Sequence, residues 1–339
     1  MAGIKDIAKI TGLSLATVSR VFNNSPLVSP ETRKKVLKAA KDLDYQPNIM
    51  AAALRSGKSR IIGVIVPEVN NHFFSSIING IEQKACDLGY NIIIAQSHES
   101  VENENNALQS FIQLKVDGVL MSLSKETTDF SPIEKLVKNK VPIVFFDRIP
   151  DLEPINSVVL DDYQGALIAT QHLIDNDCNH IIHIAGNLNV SIFRQRQEGF
   201  MDALKKNGHK ISKDSVLQLR SEVDTDSIVL NKILRQYPTI DGIFVYGDES
   251  CLHVMNILKT LNINVPDSIK VIGFGNAEFS ALVNPSISTI DQKSNEMGLL
   301  AADILIKNLN RDKITYSKQV LTPELIVRDS TKRNSINSP

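Results

Sequence analysis

Hydrophobic and polar positions follow two different patterns along this chain of 339 residues, and the pattern changes near residue 60. Before that point, apolar residues recur at helical spacing in short segments, as in helices that bury one face. After it, apolar runs of strand length such as "IIGVIVP" alternate with amphipathic segments such as "SSIINGIEQKACDLG". Apolar runs bounded by turns are typical of parallel strands covered on both faces. The pattern predicts a small helical head and a larger α/β body.

Two short helices joined by a tight turn open the head. The first runs from Ile4 to Thr11, and Gly12 can end it because glycine adopts the left-handed conformation of a C-cap. Ser14 is a good N-cap for the second helix, which is expected to end near Asn23 and Asn24. One face of this second helix is apolar, with Leu15, Val18 and Val21. The face that would meet a partner carries Ala16, Thr17, Ser19 and Arg20.

A third helix closes the unit. Ser29 can cap it, Pro30 suits its first turn, and its apolar stripe consists of Val36, Ala39, Ala40 and Leu43. Two helices joined by a turn that contains glycine, with a third packed on them, are typical of a helix-turn-helix unit. A generic three-helix bundle is the alternative that this pattern leaves open.

The segment "YQPNIMAAALRSGKSR" that follows has a helix signal of its own. Pro47 favours extended backbone before it, Asn48 can cap a helix, and Gly57 can end it. So short a helix is not stable in water without packing, and we expect it to form only against a partner, where Leu54 would be presented. A plain flexible linker is the alternative.

Charge separates the same two regions. Residues 1–60 contain eleven lysines and arginines against four acidic residues, a net charge of +7, and the remainder carries 26 basic against 34 acidic side chains. A cationic head on an acidic body favours a polyanion as the partner of the head alone.

Composition and motifs exclude several classes of protein. The cysteines Cys86, Cys178 and Cys251 lie far apart, which favours reduced structural thiols and no metal site. The first residues have no secretory signal and no apolar stretch reaches membrane length, so a cytoplasmic protein is predicted. "GFGNAE" lacks the third glycine of a dinucleotide motif, and no catalytic motif is present, so neither an enzyme nor a cofactor is predicted.

Eight apolar runs in the body are predicted as strands: "RIIGVIVPE", "NIIIAQS", "DGVLMSL", "VPIVFFDR", "HIIHIAG", "SVLQL", "DGIFVYG" and "KVIGFG". The body also repeats itself, because Asp117-Gly118-Val119 recurs as Asp241-Gly242-Ile243, 124 residues further on. Two similar Rossmann-like lobes are therefore predicted. A ligand is expected in the cleft between them, at the carboxyl ends of the strands.

The stretch "IKDIAKITGLSLATVSRVFNN", the "VSPETRKKVLKAAKDLDYQPN" that follows, and the spacing of Asn48, Ala51 and Leu54 resemble the DNA-binding head and hinge of the LacI/GalR family of bacterial transcription regulators. "LATVSRV" is similar to the catabolite-control branch. The resemblance implies a homodimer on palindromic operator DNA, with a recognition helix in the major groove and a hinge helix in the minor groove.

This resemblance gives the small side chains of the second helix a role. Arg20 can make a bidentate contact to guanine, while Leu15, Ala16 and the methyl group of Thr17 supply apolar contact to bases. Ser19 and Asn23 are expected to hold phosphates. Asn48 and Leu54 belong to the hinge, where two leucines of a dimer can wedge into a base step and select DNA that kinks easily. The symmetry of the dimer and the deformation of the DNA therefore add the base specificity that a short helix with small side chains lacks.

The body is similar to the periplasmic-binding-protein architecture, which places a small polar effector, such as a sugar or sugar derivative, between the lobes. In "RQRQEGF", Arg196 matches the effector-binding arginine of the family, and its guanidinium can hold two ligand oxygens. Core packing is the alternative for the two phenylalanines among the candidates. The candidate effector-binding residues are Asn71, Phe73, Phe74, Asp147, Arg148, Arg196, Asp248 and Asn276.

Two positions depart from the family pattern. Gly275 and Gly247 stand where the family often has an aspartate and an asparagine. The loss of two hydroxyl-binding groups leaves open an unusual ligand, a phosphorylated ligand or a protein co-regulator.

The sequence thus predicts a transcriptional repressor in four parts. These are a helix-turn-helix domain (1–46), a hinge (47–59), an effector-binding and dimerisation domain (60–330) and a polar tail (331–339). Its first lobe is placed near 60–160 and 292–320, and its second near 161–290 and 321–330. A solute-binding protein of a transporter and an enzyme are the rival functions, and the basic head and the lack of catalytic motifs argue against them.

Overall fold

The computed structural model describes residues 3–22, 25–45, 58–218, 223–311 and 314–332. The chain divides into a head, Met1–Arg60, and a body, Ile61–Pro339. The predicted hinge helix, with its candidate DNA contacts Asn48 and Leu54, lies outside the described residues, and so does Asn23.

The head contains the three predicted helices, α1 (Ile4–Thr11), α2 (Leu15–Phe22) and α3 (Pro30–Asp42). Gly12, with φ 67°, ends α1, and the side chain of Ser29 accepts the backbone N–H of Thr32 to cap α3. The helices enclose a core of Ile7, Ala8, Val18, Val21, Val36, Ala39 and Ala40. Leu15 does not join this core as its place in the apolar stripe suggested. It is 46% exposed, because it lies in the first turn of α2.

The body alternates strands and helices from its first residue onward. Its strands are β1 (Ile61–Val66), β2 (Asn91–Gln96), β3 (Gly118–Met121), β4 (Ile143–Phe146), β5 (Asn156–Leu160), β6 (Ile181–Ala185), β7 (Val216–Gln218), β8 (Gly242–Val245), β9 (Lys270–Gly275), β10 (Ser288–Asp291), β11 (Lys318–Leu321) and β12 (Glu324–Ile326). Its helices are α4 (His72–Asp87), α5 (Val101–Leu114), α6 (Ser131–Lys138), α7 (Asp162–Asp175), α8 (Ser191–Lys206), α9 (Val223–Gln236), α10 (Asp248–Thr260) and α11 (Ser294–Leu309). Two short 3₁₀ turns lie at Lys213–Ser215 and Glu278–Ala281.

The strands form two six-stranded sheets, each the centre of one lobe. The first has the order β11-β5-β4-β3-β1-β2, and the second has the order β12-β10-β9-β8-β6-β7. Every pair is parallel except β10 with β12, which is antiparallel. The central strands are buried along their whole length, as expected for a parallel sheet with helices on both faces. The predicted class, a helical head with two Rossmann-like lobes, is confirmed.

The chain crosses between the lobes three times, after β5, after β10 and after β11. Helix α11 follows the second crossing and packs on α4 of the first lobe at very short distance. A Cβ atom at Gly298 would lie 2.1 Å from the carbonyl oxygen of Ile77, and one at Gly80 would lie 2.3 Å from that of Asn295. The two glycines therefore allow backbone contact between these helices. The pairing of β11 with β5 places Leu321 in the sheet of the first lobe. The domain boundaries given from the sequence stay predictions.

Within the part of the chain that the structure describes, no helix combines the length and the apolar character needed to span a membrane.

Candidate functional site

The exposed face of α2 carries the side chains expected to meet DNA. Leu15, Ala16 and Arg20 are exposed, whereas Thr17 and Ser19 are half-buried. The helix is fixed at both ends. At the start, Ser14 Oγ accepts the backbone N–H of Thr17 at 3.1 Å and lies 2.9 Å from its hydroxyl. At the end, the guanidinium of α3 residue Arg33 donates to the carbonyl oxygens of Val21 (3.2 Å) and Ser25 (2.9 Å).

A cleft of about 860 Å³ lies between the two lobes of the body, at the carboxyl ends of their strands. Its aromatic lining consists of Phe73, Phe74, Phe193, Tyr246 and Phe274. Its charged and amide lining consists of Glu68, Asn71, Glu99, Lys125, Asp147, Arg148, Asn187, Arg196, Gln218, Asp248, Glu249 and Gln292. The cleft thus brings together seven of the eight predicted effector residues.

The first turn of α4 forms one wall of the cleft. The side chain of Asn71 caps this helix by accepting the backbone N–H of Phe73 at 2.9 Å. Its Nδ2 also donates to Oε2 of Glu249 at 3.4 Å, which joins the two lobes. Phe73 and Phe74 meet edge to face, with ring centroids 5.2 Å apart. Phe74 is buried in the core and Phe73 packs against it, so both rings belong to the core and line the cleft.

Asp147 lies directly after β4, in the left-handed backbone region at φ 60°. Its carboxylate is buried, accepts the hydroxyl of Ser122 at 3.3 Å, and lies 3.7 Å from Nε of Arg148. Burial raises the pKa of Asp147 from 3.8 to about 6, against the opposing effect of the Arg148 charge. The cleft therefore contains a carboxylate that is costly to keep ionised and able to accept ligand hydroxyls.

Arg148 is paired with Glu99, a residue that the sequence analysis did not select. Its Nη1 lies 2.8 and 3.0 Å from the two carboxylate oxygens of Glu99. Oε2 of Glu99 also accepts the backbone N–H of Lys125 at 2.8 Å. The guanidinium carbon of Arg148 lies 5.9 Å from the ring centroid of Phe74, which adds a cation–π contact.

Arg196, on α8, is buried and bonded to three protein groups. Its Nε donates to Oδ1 of Asp162 at 2.7 Å, Nη1 donates to the carbonyl oxygen of Tyr246 at 2.6 Å, and Nη2 donates to Oε1 of Gln292 at 3.1 Å. Its guanidinium carbon lies 3.8 Å from the ring centroid of Phe274. Nη2 also lies 2.7 Å from Oδ1 of Asp162, so one of the five N–H groups of Arg196 remains. Holding two ligand oxygens therefore requires Arg196 to release a protein partner. Burial raises the pKa of Asp162, while Arg196 opposes that rise.

Asp248 lines the cleft, but its carboxylate is engaged by the protein. It accepts the hydroxyls of Thr289 (2.6 Å) and Ser280 (2.8 Å) and the backbone N–H of Ala277 (2.9 Å). Burial raises the pKa of Asp248, and these hydrogen bonds act in the opposite direction. Asp248 thereby joins the segment between β9 and β10 to strand β10 itself.

Asn276 is the one predicted effector residue that does not line the cleft. Its backbone is left-handed at φ 54°, and its side-chain oxygen accepts a hydrogen bond from Nη2 of Arg328 at 2.7 Å.

The rule that ligands bind at strand carboxyl ends could have identified Tyr246 and Phe274, which lie at or directly after the ends of strands. Among the described residues, no cluster of three or more histidine, cysteine or acidic side chains could hold a metal ion.

A helix-turn-helix head and a two-lobed ligand-binding body on one chain define a class, the bacterial transcription regulators that respond to ligands. Residues 3–48 match the family described as "Bacterial regulatory proteins, lacI family". Residues 59–326 match the family described as "Periplasmic binding proteins and sugar binding domain of LacI family". The chain belongs to the LacI family, and it is a DNA-binding regulator of transcription.

Individual relatives match the head and the body together. The ribose operon repressor of Halalkalibacterium halodurans is 32% identical over 340 residues, which cover 100% of both chains. Catabolite control protein A of Priestia megaterium is 32% identical over 330 residues, 97% of this chain and 99% of that relative. The solved complex of the transcriptional regulator CelR with cellobiose is similar with a TM-score of 0.73 and 26% identity, covering 97% of this chain and 100% of CelR.

Proposed function

We propose that this regulator is a homodimeric repressor whose affinity for a palindromic operator changes when a sugar or sugar derivative binds in the cleft. The observation that carries the proposal is the lining of the cleft, where aromatic rings stand beside carboxylate, guanidinium and amide groups from both lobes. Planar polar groups bond hydroxyls, and rings cover the C–H faces of a sugar. The matched family description and the CelR–cellobiose complex support the same ligand class.

Each effector contact is assigned from the position of the side chain in the cleft and from the hydrogen-bonding groups that the protein does not already use. Asn71, Asp147 and Arg148 supply polar contacts, and Phe73 and Phe74 supply the apolar surface. Arg196 contacts the effector while it braces the cleft. Asp248 and Asn276 act indirectly, because the carboxylate of Asp248 already accepts three hydrogen bonds and Asn276 does not line the cleft.

On the DNA side, Arg20 is the base-reading residue of α2, and Leu15, Ala16 and Thr17 supply the apolar contacts. Ser19 holds a phosphate. The exposure of Leu15, Ala16 and Arg20 on one short helix supports this assignment. The roles of Asn23, Asn48 and Leu54 rest on the sequence alone.

The effector acts by closing the cleft. The hydrogen bond from Asn71 to Glu249 already joins the two walls at 3.4 Å, and a ligand bonded to both walls stabilises the closed form.

The protein works in the cytoplasm and at the nucleoid when bound to its operator, and it catalyses no reaction.

The test uses the full chain and an operator selected from random-sequence DNA. Fluorescence anisotropy measures the operator Kd while sugars, including ribose and cellobiose, are added. We expect one class of sugar to change that Kd by about 5- to 150-fold, the usual range of allosteric coupling. If no sugar in a broad panel changes the operator Kd, the proposed effector class is wrong.

The variant Arg196→Lys tests whether the sugar changes operator affinity by binding in the cleft. We expect this variant to bind the operator normally but to lose the response to the sugar, because lysine cannot reproduce the planar set of hydrogen bonds. Arg194→Lys is the matched control, since it makes the same change at an exposed position of the same helix. A full sugar response in Arg196→Lys would contradict the assignment of the cleft.

A further inference from the structure

Both arginines that line the cleft are already paired with carboxylates of the protein. Nη2 of Arg196 lies 2.7 Å from Oδ1 of Asp162, and Nη1 of Arg148 contacts both oxygens of Glu99 at 2.8 and 3.0 Å. A guanidinium binds a phosphate group through the same N–H groups that it offers a carboxylate. Asp162 therefore competes with a phosphorylated ligand for Nε and Nη2 of Arg196, and Glu99 competes for Nη1 of Arg148 and offsets the charge that the whole guanidinium presents.

We propose that Glu99 determines ligand specificity: by neutralising Arg148, it makes the cleft select uncharged hydroxylated ligands over their phosphorylated forms. This inference rests on the proposed function for the identity of the site. It adds the residue that decides between two classes of sugar that the sequence alone left open.

The backbone holds Glu99 in its place. Glu99 and the preceding His98 both adopt left-handed conformations, at φ 58° and 49°, in the turn between β2 and α5. The carboxylate is anchored on a second side by the backbone N–H of Lys125, at 2.8 Å. The side chains of Glu99 and Arg148 are only 21% and 13% exposed, so solvent screens their attraction weakly. Glu99 cannot turn away to admit an anion without breaking all of these contacts.

The charges around the Glu99–Arg148 pair also disfavour an anionic ligand. The buried carboxylate of Asp147 lies 3.7 Å from Nε of Arg148, and Glu99 contacts Nη1 of the same guanidinium. Glu68 and Glu249 are exposed residues of the cleft lining, whose lysine and arginine residues are Lys125, Arg148 and Arg196. A phosphate that displaced Glu99 would leave a partly buried carboxylate without its cation, in a cleft where acidic groups are in excess.

The experiment measures binding of inorganic phosphate to the full chain by isothermal titration calorimetry. Glu99→Gln removes the charge but keeps an oxygen that can accept the N–H of Lys125. Glu68→Gln is the matched control, because it removes the same charge from the same cleft without contact to Arg148. We expect phosphate to bind Glu99→Gln about tenfold or more tightly than it binds the unmodified protein or Glu68→Gln. The gain should disappear in Glu99→Gln combined with Arg148→Gln.

Two results would overturn the proposal. One is equal phosphate affinity in Glu99→Gln and the unmodified protein. The other is an equal gain in Glu68→Gln, which would mean that the general potential of the cleft excludes phosphate. The thermal unfolding midpoint checks that Glu99→Gln is folded. If it is not, thermal shift of the unmodified protein with matched pairs of free and phosphorylated sugars decides, and tighter binding of the phosphorylated member refutes the role of Glu99.

These measurements use neither operator DNA nor the natural effector. A missing sugar response would therefore refute the proposed function and leave the phosphate result standing. A missing phosphate gain would refute the role of Glu99 and leave the sugar response standing.

Discussion

Arg196 contacts three segments that are distant in sequence: Asp162 after β5, Tyr246 after β8 and Gln292 after β10. Asp162 and Gln292 lie where the chain crosses between the lobes. The family motif indicated that Arg196 faces the ligand. Its partners could not be predicted, because they lie 34, 50 and 96 residues away and only the folded sheets bring them together. A ligand that takes hydrogen bonds from Arg196 therefore also changes the contacts that Arg196 makes to the connections between the lobes.

Asp147 makes the stability of the protein depend on pH. Its pKa rises from 3.8 to about 6 on folding, so the folded state binds more protons than the unfolded state between these values. The free energy of unfolding therefore falls as the pH rises through this window. We expect Asp147→Asn to be more stable, relative to the unmodified protein, at pH 7 than at pH 4, by about 2 kcal/mol. Urea unfolding followed by circular dichroism at both pH values measures the difference.

Asp151→Asn is the control for this measurement. Asp151 is exposed, and its replacement should shift the stability by the same small amount at both pH values. A pH-independent effect of Asp147→Asn would show that the burial of this carboxylate does not govern its ionisation.

Arg20 is the long side chain on the exposed face of α2. We expect Arg20→Ala to weaken operator binding by about 1–3 kcal/mol per half-site and to relax the preference at one base position. Lys38→Ala removes a positive charge from the exposed side of α3 and should, at most, weaken binding to all sequences alike. Binding to operators with single base changes separates the two effects. An unchanged base preference in Arg20→Ala would remove its role as a reader.

At the scale of elements, the crossing of α4 and α11 depends on two glycines. We expect Gly298→Ala to lower the free energy of unfolding by about 1–3 kcal/mol, because its Cβ would lie 2.1 Å from a backbone oxygen that cannot move aside. Gly247→Ala is the control, since the nearest atom there is 3.9 Å away and the backbone is extended. It should change stability by less than about 0.5 kcal/mol. Equal stability of the two variants in urea would contradict the close packing.

The hydrophobic pattern predicted the head helices and eight strands, and it missed β5, β10, β11 and β12. Two of the missed strands contain buried polar residues, Asn156 and Ser157 in β5 and Ser288 and Thr289 in β10. The side chains of Asn156, Ser288 and Thr289 are hydrogen-bonded to neighbouring segments, for example Ser288 to the backbone of Arg328, so a strand here does not look apolar. Most of β11 is exposed, and β12 is three residues long. All four strands adjoin the crossings between lobes.

Several cleft residues could be placed from the sequence because they directly follow strands, and Arg196 could be placed from the family motif. Asn276 also follows a strand, β9, but it does not line the cleft. Asp147 and Arg148 come after β4, and their place in the cleft follows from parallel topology. Glu99 lies in a left-handed turn after β2, and its pairing with Arg148 spans 49 positions. Neither the turn nor the pairing leaves a periodic signal in the sequence.

At the scale of the whole molecule, ligand binding and DNA binding must affect each other equally. Whatever factor the effector imposes on the operator Kd, saturating operator must impose on the effector Kd, because both describe one coupling free energy. Calorimetric titration of the effector into the protein, with and without operator, measures this factor. A mutated operator that does not bind serves as the control. Unequal factors would mean that the two measurements involve different assemblies.

The triple crossing also affects how the protein is made. Strand β11 and helix α11 belong to the first lobe, yet they are translated after nearly all of the second lobe. Strand β12, which completes the second sheet, comes later still. On the ribosome, the sheet of the first lobe can therefore be completed only after Lys318–Leu321 has been made, and that of the second lobe only after Glu324–Ile326. A premature stop codon anywhere before Lys318 leaves two incomplete sheets, so no such truncated polypeptide retains one intact lobe.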